Sequence, residues 1–314
     1  MTLPPGADSA FNRKLRSAPL FDRVAIIGVG LIGGSVGLAC RARRLANEIR
    51  GADPDTEHRK AAMALGCADE VVADAGAVVE GADLVVLATP VGVIPRALEQ
   101  ILPHLAPGAV VTDVGSVKAP VAAAMDRLLP KGQGVPGHPI AGRERSGPAA
   151  ASAELFVGSR CVLTPTVATG SAALRRVRDL WKGLGAEVVE MSPERHDQVF
   201  AAVSHLPHIV AYALMGAILD LADDGEKVQQ FAAGGLRDFT RVAMSHPVMW
   251  RDICLANRSQ ILEMIGRFQS ALDQLVALIS AEDGDGLCRQ FARARTARET
   301  VGRSEESGPS HGTP

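Results

Sequence analysis

The sequence predicts an α/β protein, a parallel sheet wound on both faces by helices, followed by a second part that is helical throughout. Three observations predict it. Short apolar runs alternate with helical patterns from Arg23 to about Glu190, the rhythm of βαβ units. After Met191 the apolar spacing is that of helices alone,. Hydrophobic residues make up 47% of the 314 residues and aromatics only 4%. The core must therefore come from Ala, Val, Leu and Ile, which suit buried parallel strands and close-packed helices better than an aromatic-rich sandwich.

Taken in order, residues 24–29 form a continuous apolar run, followed by a helical pattern over 35–44. Residues 48–52 read as the second strand, with a helix near 56–65. Residues 84–88 and 109–113 read as further buried strands, each followed by a helix, at 93–102 and 117–129. Residues 161–163 and 188–190 read as later strands flanking a helix over 172–184. Ser192 precedes Pro193 and Glu194, an N-cap with proline at the first helical position. The helix it opens runs to about Leu221, and helical spacing continues to about Arg298 with interruptions at Gly234-Gly235 and Pro247. Four segments result: a flexible arm over 1–20, an α/β domain over 21–191, a helical domain over 192–300, and a polar tail over 301–314 expected to be disordered,. Long helices with Ala and Leu on more than one face imply a homodimer.

The balance of 33 basic and 35 acidic residues gives a net charge of −2, which leaves no electrostatic footprint for nucleic acid or an anionic membrane. Cys40, Cys67, Cys161, Cys254 and Cys288 are scattered and never form a CxxC pair. They read as core fillers in a reducing cytoplasm. No apolar leader run opens the chain,. The longest apolar stretch, 209–219, falls short of the roughly 20 residues that cross a bilayer. A soluble, cytoplasmic protein acting on a small molecule is expected.

Gly28-Val29-Gly30-Leu31-Ile32-Gly33 stands directly after the first apolar strand and opens a helix. In that setting Gly28 permits the tight turn, Gly30 lets the backbone approach a pyrophosphate, and Gly33 allows close helix–strand packing. The helix N-terminus, at Leu31 and Ile32, offers unpaired N–H groups to the phosphates. Asp53 ends the second strand, about 20 residues beyond Gly33, where an acidic side chain binds ribose hydroxyls and repels a 2′-phosphate. A Rossmann domain binding NAD follows, with Arg59 and Lys60 leaving NADP open. Thr89-Pro90 and Ser116, at the ends of later strands, are expected on the nicotinamide side.

Further segments carry unusual chemistry: Gly115-Ser116-Val117-Lys118, Gly137-His138-Pro139-Ile140-Ala141-Gly142, Ser204-His205-Leu206-Pro207-His208, Asp238-Phe239-Thr240-Arg241 and Met249-Trp250-Arg251-Asp252. With the glycine segment over 28–35, they make the sequence resemble the prephenate and arogenate dehydrogenases from about Val24 to Arg293. The resemblance implies a Rossmann domain joined to a helical dimerisation domain. It implies NAD-dependent oxidative decarboxylation of a cyclohexadienyl acid on the route to tyrosine. It makes His138 the acceptor of the substrate hydroxyl proton and gives Ser116 a hydrogen bond to that hydroxyl or to the cofactor amide. Arg241 becomes the carboxylate-binding arginine, His205 and His208 line the substrate pocket, and Glu144 with Asp238 forms an ionic gate.

Plainer readings stand beside these. His138 can be a histidine paired in a turn, Ser116 a helix N-cap, Arg241 a surface arginine, and His205 with His208 a capped core pair. A metal at the two histidines would need further ligands; no nearby Cys or carboxylate is spaced to supply them, so no metal is expected. Arg143, with Arg145 close by, stands where the family carries a small hydroxyl residue, which leaves the substrate's side chain undetermined. Two rival functions are a β-hydroxyacid-type dehydrogenase and an NAD-holding sensor without turnover. The first relies on a lysine in the helical domain, where this chain has only Lys227 after Met191.

Overall fold

The computed structural model describes residues 18–142, 146–221 and 228–301. The arm up to residue 17, Arg143, Glu144, Arg145, Lys227 and the tail from 302 lie outside the described residues. Six parallel strands form the main sheet: β1 (Phe21–Ile27), β2 (Ala46–Ala52), β3 (Glu70–Val72), β4 (Leu84–Leu87), β5 (Val110–Asp113) and β6 (Gly134–Val135). Their order is β3-β2-β1-β4-β5-β6. β1 pairs in parallel with β2 on one side and β4 on the other, Ile27 standing opposite both Ala52 and Leu87. The strand order thus reverses at β1, where open α/β sheets bind their ligands beyond the carboxyl ends of the strands.

The near-continuous apolar runs are explained by cover on both faces. Alternate residues of one strand enter opposite cores. Val24, Ile26, Leu84 and Val86 pack with Val36 and Ala39 of helix Leu31–Arg43 and with Val177 and Trp181 of helix Ser171–Gly183. Ala25, Ile27, Val85 and Leu87 pack with Ile94 and Leu98 of helix Ile94–Ile101 and with Val121 and Met125 of helix Ala119–Leu128.

The two later strands form as expected, on either side of helix Ser171–Gly183. β8 (Arg160–Leu163) and β9 (Glu187–Glu190) do not extend the main sheet. They join β7 (Gly137–Ile140) in a separate sheet ordered β7-β8-β9, with β7 antiparallel to β8. Pro139, which has no N–H to donate, is tolerated because β7 is an edge strand,. Strands β3 and β6, three and two residues long, and β7, which holds Gly137 and Pro139, escaped sequence reading.

From Pro193 onward the chain is helical among the described residues. Ser192 Oγ accepts the Arg195 N–H at 3.2 Å, the expected cap. The run Pro193–Leu219 is one continuous helix of 27 residues, so the apolar stretch at 209–219 is the end of an element long and apolar enough to cross a membrane by length and composition. Its first half is tied to the α/β unit by buried His196, Asp197 and His205. A wider π turn interrupts it at Ala201–His205, where the Leu206 N–H reaches back to the Ala201 carbonyl; the next residue, Pro207, has no N–H to offer. Beyond it, only Ala211 of Leu206–Leu219 is buried.

Contacts divide the chain into one compact unit ending at Ile261 and another starting at Leu262, later than the change from strands to helices at 191. The second unit holds most of helix Arg258–Ser280 and all of helix Gly284–Thr300. Asp283 Oδ1 caps the latter by accepting the Gly286 N–H at 2.8 Å. Phe268, Leu272, Val276, Ile279 and Phe291 stand exposed on this unit.

Candidate active site

The glycine turn leaves β1 as its residue types require. Gly28 has φ 94°, and a Cβ there would stand 2.6 Å from the Ala88 carbonyl oxygen. A Cβ on Gly33 would meet the Gly28 carbonyl oxygen at 1.9 Å. At Gly30, the N-cap of helix Leu31–Arg43, a Cβ would meet nothing within 4 Å. The helix N-terminus therefore opens onto free space, a cradle of the kind a pyrophosphate occupies. At the carboxyl end of β4, Thr89 Oγ1 is buried without a partner among the described residues, a polar group left for a ligand to satisfy.

Asp53, 7% exposed, accepts the Val29 N–H at 3.1 Å and the Asp55 N–H at 3.0 Å. It braces the glycine turn from just beyond the end of β2. The two cations that left NADP open are committed elsewhere. Arg59 donates to the carbonyls of Asp53 (2.9 Å) and Pro54 (2.8 Å) and to Thr56 Oγ1 (2.9 Å), and Lys60 pairs with Glu57. A 2′-phosphate would thus meet a buried carboxylate. Asp53→Ala is expected to narrow the gap between NAD and NADP while weakening NAD binding itself. Steady-state KM values for both cofactors test this, and an unchanged ratio removes Asp53 from the ribose site.

His138 lies on β7, not in a turn. The peptide before it is gripped from two sides: Asp113 Oδ1 accepts the Gly137 N–H at 3.0 Å, and Lys118 Nζ donates to the Gly137 carbonyl at 2.8 Å. Asp113 and Lys118, both wholly buried, also pair with each other. Burial pushes the Lys118 ammonium below its usual range, and Asp113 opposes that shift. Since Asp113 ends β5, this clamp holds His138 at the carboxyl edge of the main sheet.

The imidazole is wired further. His138 Nδ1 is 2.8 Å from His196 Nε2, and His196 Nδ1 is 2.8 Å from Asp197 Oδ1. Asp197 accepts the Lys118 N–H at 2.7 Å and the Ala119 N–H at 2.8 Å. It thereby caps helix Ala119–Leu128, whose N-terminus favours a negative charge. Ser116, partly buried, makes no cap bond to this helix, so its hydroxyl keeps its capacity for another partner. Phe200 packs against both histidine rings, 5.0 Å from His138 and 4.4 Å from His196.

Asn257 carries the network on. Its Nδ2 donates to the Asp197 carbonyl at 2.9 Å and lies 3.1 Å from His205 Nδ1. His208 stacks on Trp250 with ring centres 3.9 Å apart, and its Nδ1 meets the Ser204 carbonyl at 2.9 Å. Arg241, exposed on the single chain, is near enough for its charge to bear on His208. The structure therefore links His138, His205, His208 and Arg241 through successive neighbours. Asp238 sits exposed on helix Gly234–Thr240, and its expected gate partner Glu144 is outside the described residues. Sequence reading missed His196, Asp197 and Asn257; it named the segments that hold Lys118 and Asp113 but not their part in the clamp on Gly137. The available signals were a lysine inside the apolar run Val117–Val121 and an acid closing a buried strand.

Burial lowers the pKa of His138, His196, His205 and His208 below the ordinary 6.5, in each case as the largest cause. For His205, which is 1% exposed, the value falls to about 4. The folded state thus binds protons less readily than the unfolded chain. The corresponding stability is present above pH 6.5 and is lost as pH falls toward 4,. His205 alone accounts for roughly 3 kcal/mol of it. Tm is expected to drop across that interval, and a flat Tm from circular dichroism melts would refute the neutral-histidine assignment.

An open parallel sheet with a nucleotide turn after its first strand and a neutral imidazole held at its carboxyl edge is the architecture of a nicotinamide-dependent dehydrogenase. Comparison with known proteins gives the particular kind. Residues 36–190 match the family described as the nucleotide-binding domain of prephenate dehydrogenase, and residues 192–293 match its dimerization domain. The chain belongs to the prephenate dehydrogenase family. It is 39% identical to the prephenate dehydrogenase of Bacillus subtilis, over 88% of this chain and 76% of that protein. It is 37% identical to the cyclohexadienyl dehydrogenase of Zymomonas mobilis, over 89% of this chain and 96% of that one. A crystal structure of prephenate dehydrogenase from A. aeolicus, in complex with hydroxyphenyl propionate and NAD+, superposes with a TM-score of 0.85 at 35% identity, covering 89% of this chain and 98% of that one.

Proposed function

We propose that this chain oxidises prephenate, arogenate or both, with NAD as hydride acceptor, in the formation of the tyrosine ring. The observation that carries the reading is His138: a neutral imidazole held at the carboxyl edge of a nucleotide-binding sheet, in a chain whose two halves both match this family. The substrate bears a hydroxyl on one ring carbon and a carboxylate on the carbon opposite. Bound NAD takes the hydride from the hydroxyl-bearing carbon. The carbon–carboxylate bond breaks, carbon dioxide departs, and the electron pair left behind completes the aromatic ring. His138 accepts the hydroxyl proton as charge shifts and returns it to the phenolic oxygen, so no net proton is consumed. Aromatisation drives the step, and the protein's task is mainly orientation.

Ser116 hydrogen-bonds the same hydroxyl or the nicotinamide amide. Arg241 grips a substrate carboxylate, with His205 and His208 lining the pocket and Asp238 with Glu144 guarding it. Residues 21–191 act as the cofactor domain and 192–300 as the substrate and dimerisation domain, between the arm over 1–20 and the tail over 301–314. A homodimer is supported by the poorly buried helix Leu206–Leu219 and by the exposed apolar side chains beyond Leu262, since patches of this kind mark association surfaces. A reducing cytoplasmic location suits five cysteines that form no disulfide,. Steady-state NADH and NADPH formation with prephenate and with arogenate tests the whole reading. Turnover of at least one substrate with NAD is expected, and NAD binding without turnover of either would instead mean a non-catalytic sensor.

A further inference from the structure

We infer that His196 and Asp197 are positioning residues that decide which ring nitrogen of His138 holds its proton. The inference rests on the reading of His138 as proton acceptor. Asp197 takes the Lys118 N–H on Oδ1 and the Ala119 N–H on Oδ2, so its carboxylate is held as an acceptor at a helix N-terminus. The 2.8 Å contact with His196 Nδ1 must then be a bond donated by the imidazole,. A neutral imidazole has one N–H, so His196 Nε2 carries a lone pair. The 2.8 Å contact with His138 Nδ1 in turn requires the hydrogen on His138. His138 Nε2 is left unprotonated, and it has no hydrogen-bond partner among the described residues.

The surroundings keep the relay from turning over. The Asp197 carbonyl accepts from Asn257, which is 3% exposed, and Phe200 stacks on the His196 ring at an interplanar angle of 27°. The charged and titratable groups bearing on His138 are Lys118, His196 and His205. A protonated His196 would add a second cation beside the Lys118 ammonium, and burial holds both His196 and His205 in the neutral form. When His138 Nε2 takes up a proton, the positive charge that develops is met through His196 by the Asp197 carboxylate, with no further proton needing to move.

Asp197→Asn tests this directly. The carboxamide cannot serve both sides: with its oxygen toward the Lys118 N–H and His196 its NH2 opposes the Ala119 N–H, with the reverse orientation it opposes Lys118 and His196, and in either the negative charge that answers a protonated His138 is gone. The expected result is a fall in kcat of about 10²–10⁴-fold, the whole contribution of a general base, with KM for substrate and for NAD little changed. A second pair guards against loss of the helix cap. His196→Gln presents a carboxamide oxygen to His138 Nδ1 and should stay within about tenfold of the wild type, whereas His196→Leu should lose about 10²-fold or more. Long-range proton–nitrogen NMR of the wild-type enzyme reads the tautomer without any variant, and the proton is expected on His138 Nδ1. A wild-type spectrum with that proton on Nε2 overturns the inference, as does His196→Leu with wild-type kcat and an unaltered pH profile. Failure of the wild type to oxidise either cyclohexadienyl acid would count against the proposed function instead, and the NMR result would still decide the tautomer.

Discussion

Replacing His138 with alanine is expected to lower kcat by roughly 10²–10⁴-fold, the range a positioned base contributes, while NAD affinity stays near that of the unaltered enzyme. The two effects separate because the groups sit on different elements. The proposed cofactor cradle is built from the turn after β1 and from Asp53. His138 is on β7, secured by main-chain bonds at Gly137 that do not involve its ring. Loss of the ring leaves the clamp intact but exposes the His196 Nε2 lone pair, so a small loss of thermal stability should accompany the loss of rate. His138→Asn, nearer in volume, should reproduce the kinetic defect with less destabilisation. Stopped-flow and steady-state NADH formation, with NAD binding measured by fluorescence, would check this. A weakened NAD affinity with unchanged kcat would remove His138 from the chemistry.

Arg241→Ala is expected to raise KM for substrate by roughly 30-fold, corresponding to about 2 kcal/mol, with kcat little changed. The estimate is the lower end of what removing one member of a carboxylate–guanidinium pair costs. Arg241 stands exposed where helix Gly234–Thr240 ends, and water screens such pairs. Arg241→Lys retains the charge but not the planar fork, so its KM should fall between the two. The same variants report on adjacency independently of substrate. Burial lowers the His208 pKa most and the Arg241 charge lowers it further, so the alanine variant should raise that pKa slightly and the lysine variant should largely preserve it. A KM indifferent to both substitutions would take Arg241 out of the pocket.

Much of the fold is legible in the sequence because local chemistry and tertiary demand coincide there. The glycine turn follows an apolar strand and is required by sterics at Gly28 and Gly33. Ser192 caps the helix at its expected place. β3 and β6 were missed because three and two residues cannot display a period, and β7 because Gly137 and Pro139 are residue types that strands disfavour,. The second sheet was missed because pairing direction is not written in the composition of β8 and β9. In the site, the residues carried by resemblance are those for which contact with a ligand is proposed. Those behind them were not legible: His196 and Asp197 stand in the polar stretch Pro193–Phe200 and read as an ordinary helix start, yet both are buried. Lys118 and Asp113 lie in segments that the sequence singles out, but their joint grip on Gly137 depends on β7 crossing above them.

The π turn at Ala201–His205 has a consequence for direction. An unbroken α-helix advances about 100° per residue, which would leave His208 roughly 120° around the axis from His196. A turn holding one additional residue gives back about one step of that rotation and brings the two imidazoles to within roughly 20° of a common bearing. Removing a single residue from the exposed side of this coil, such as Val203, would take out that additional residue and leave eleven α-helical steps between the two histidines, so Trp250's stacking partner would keep its bearing of roughly 20° to the histidine that serves His138 while the wide turn itself disappears,.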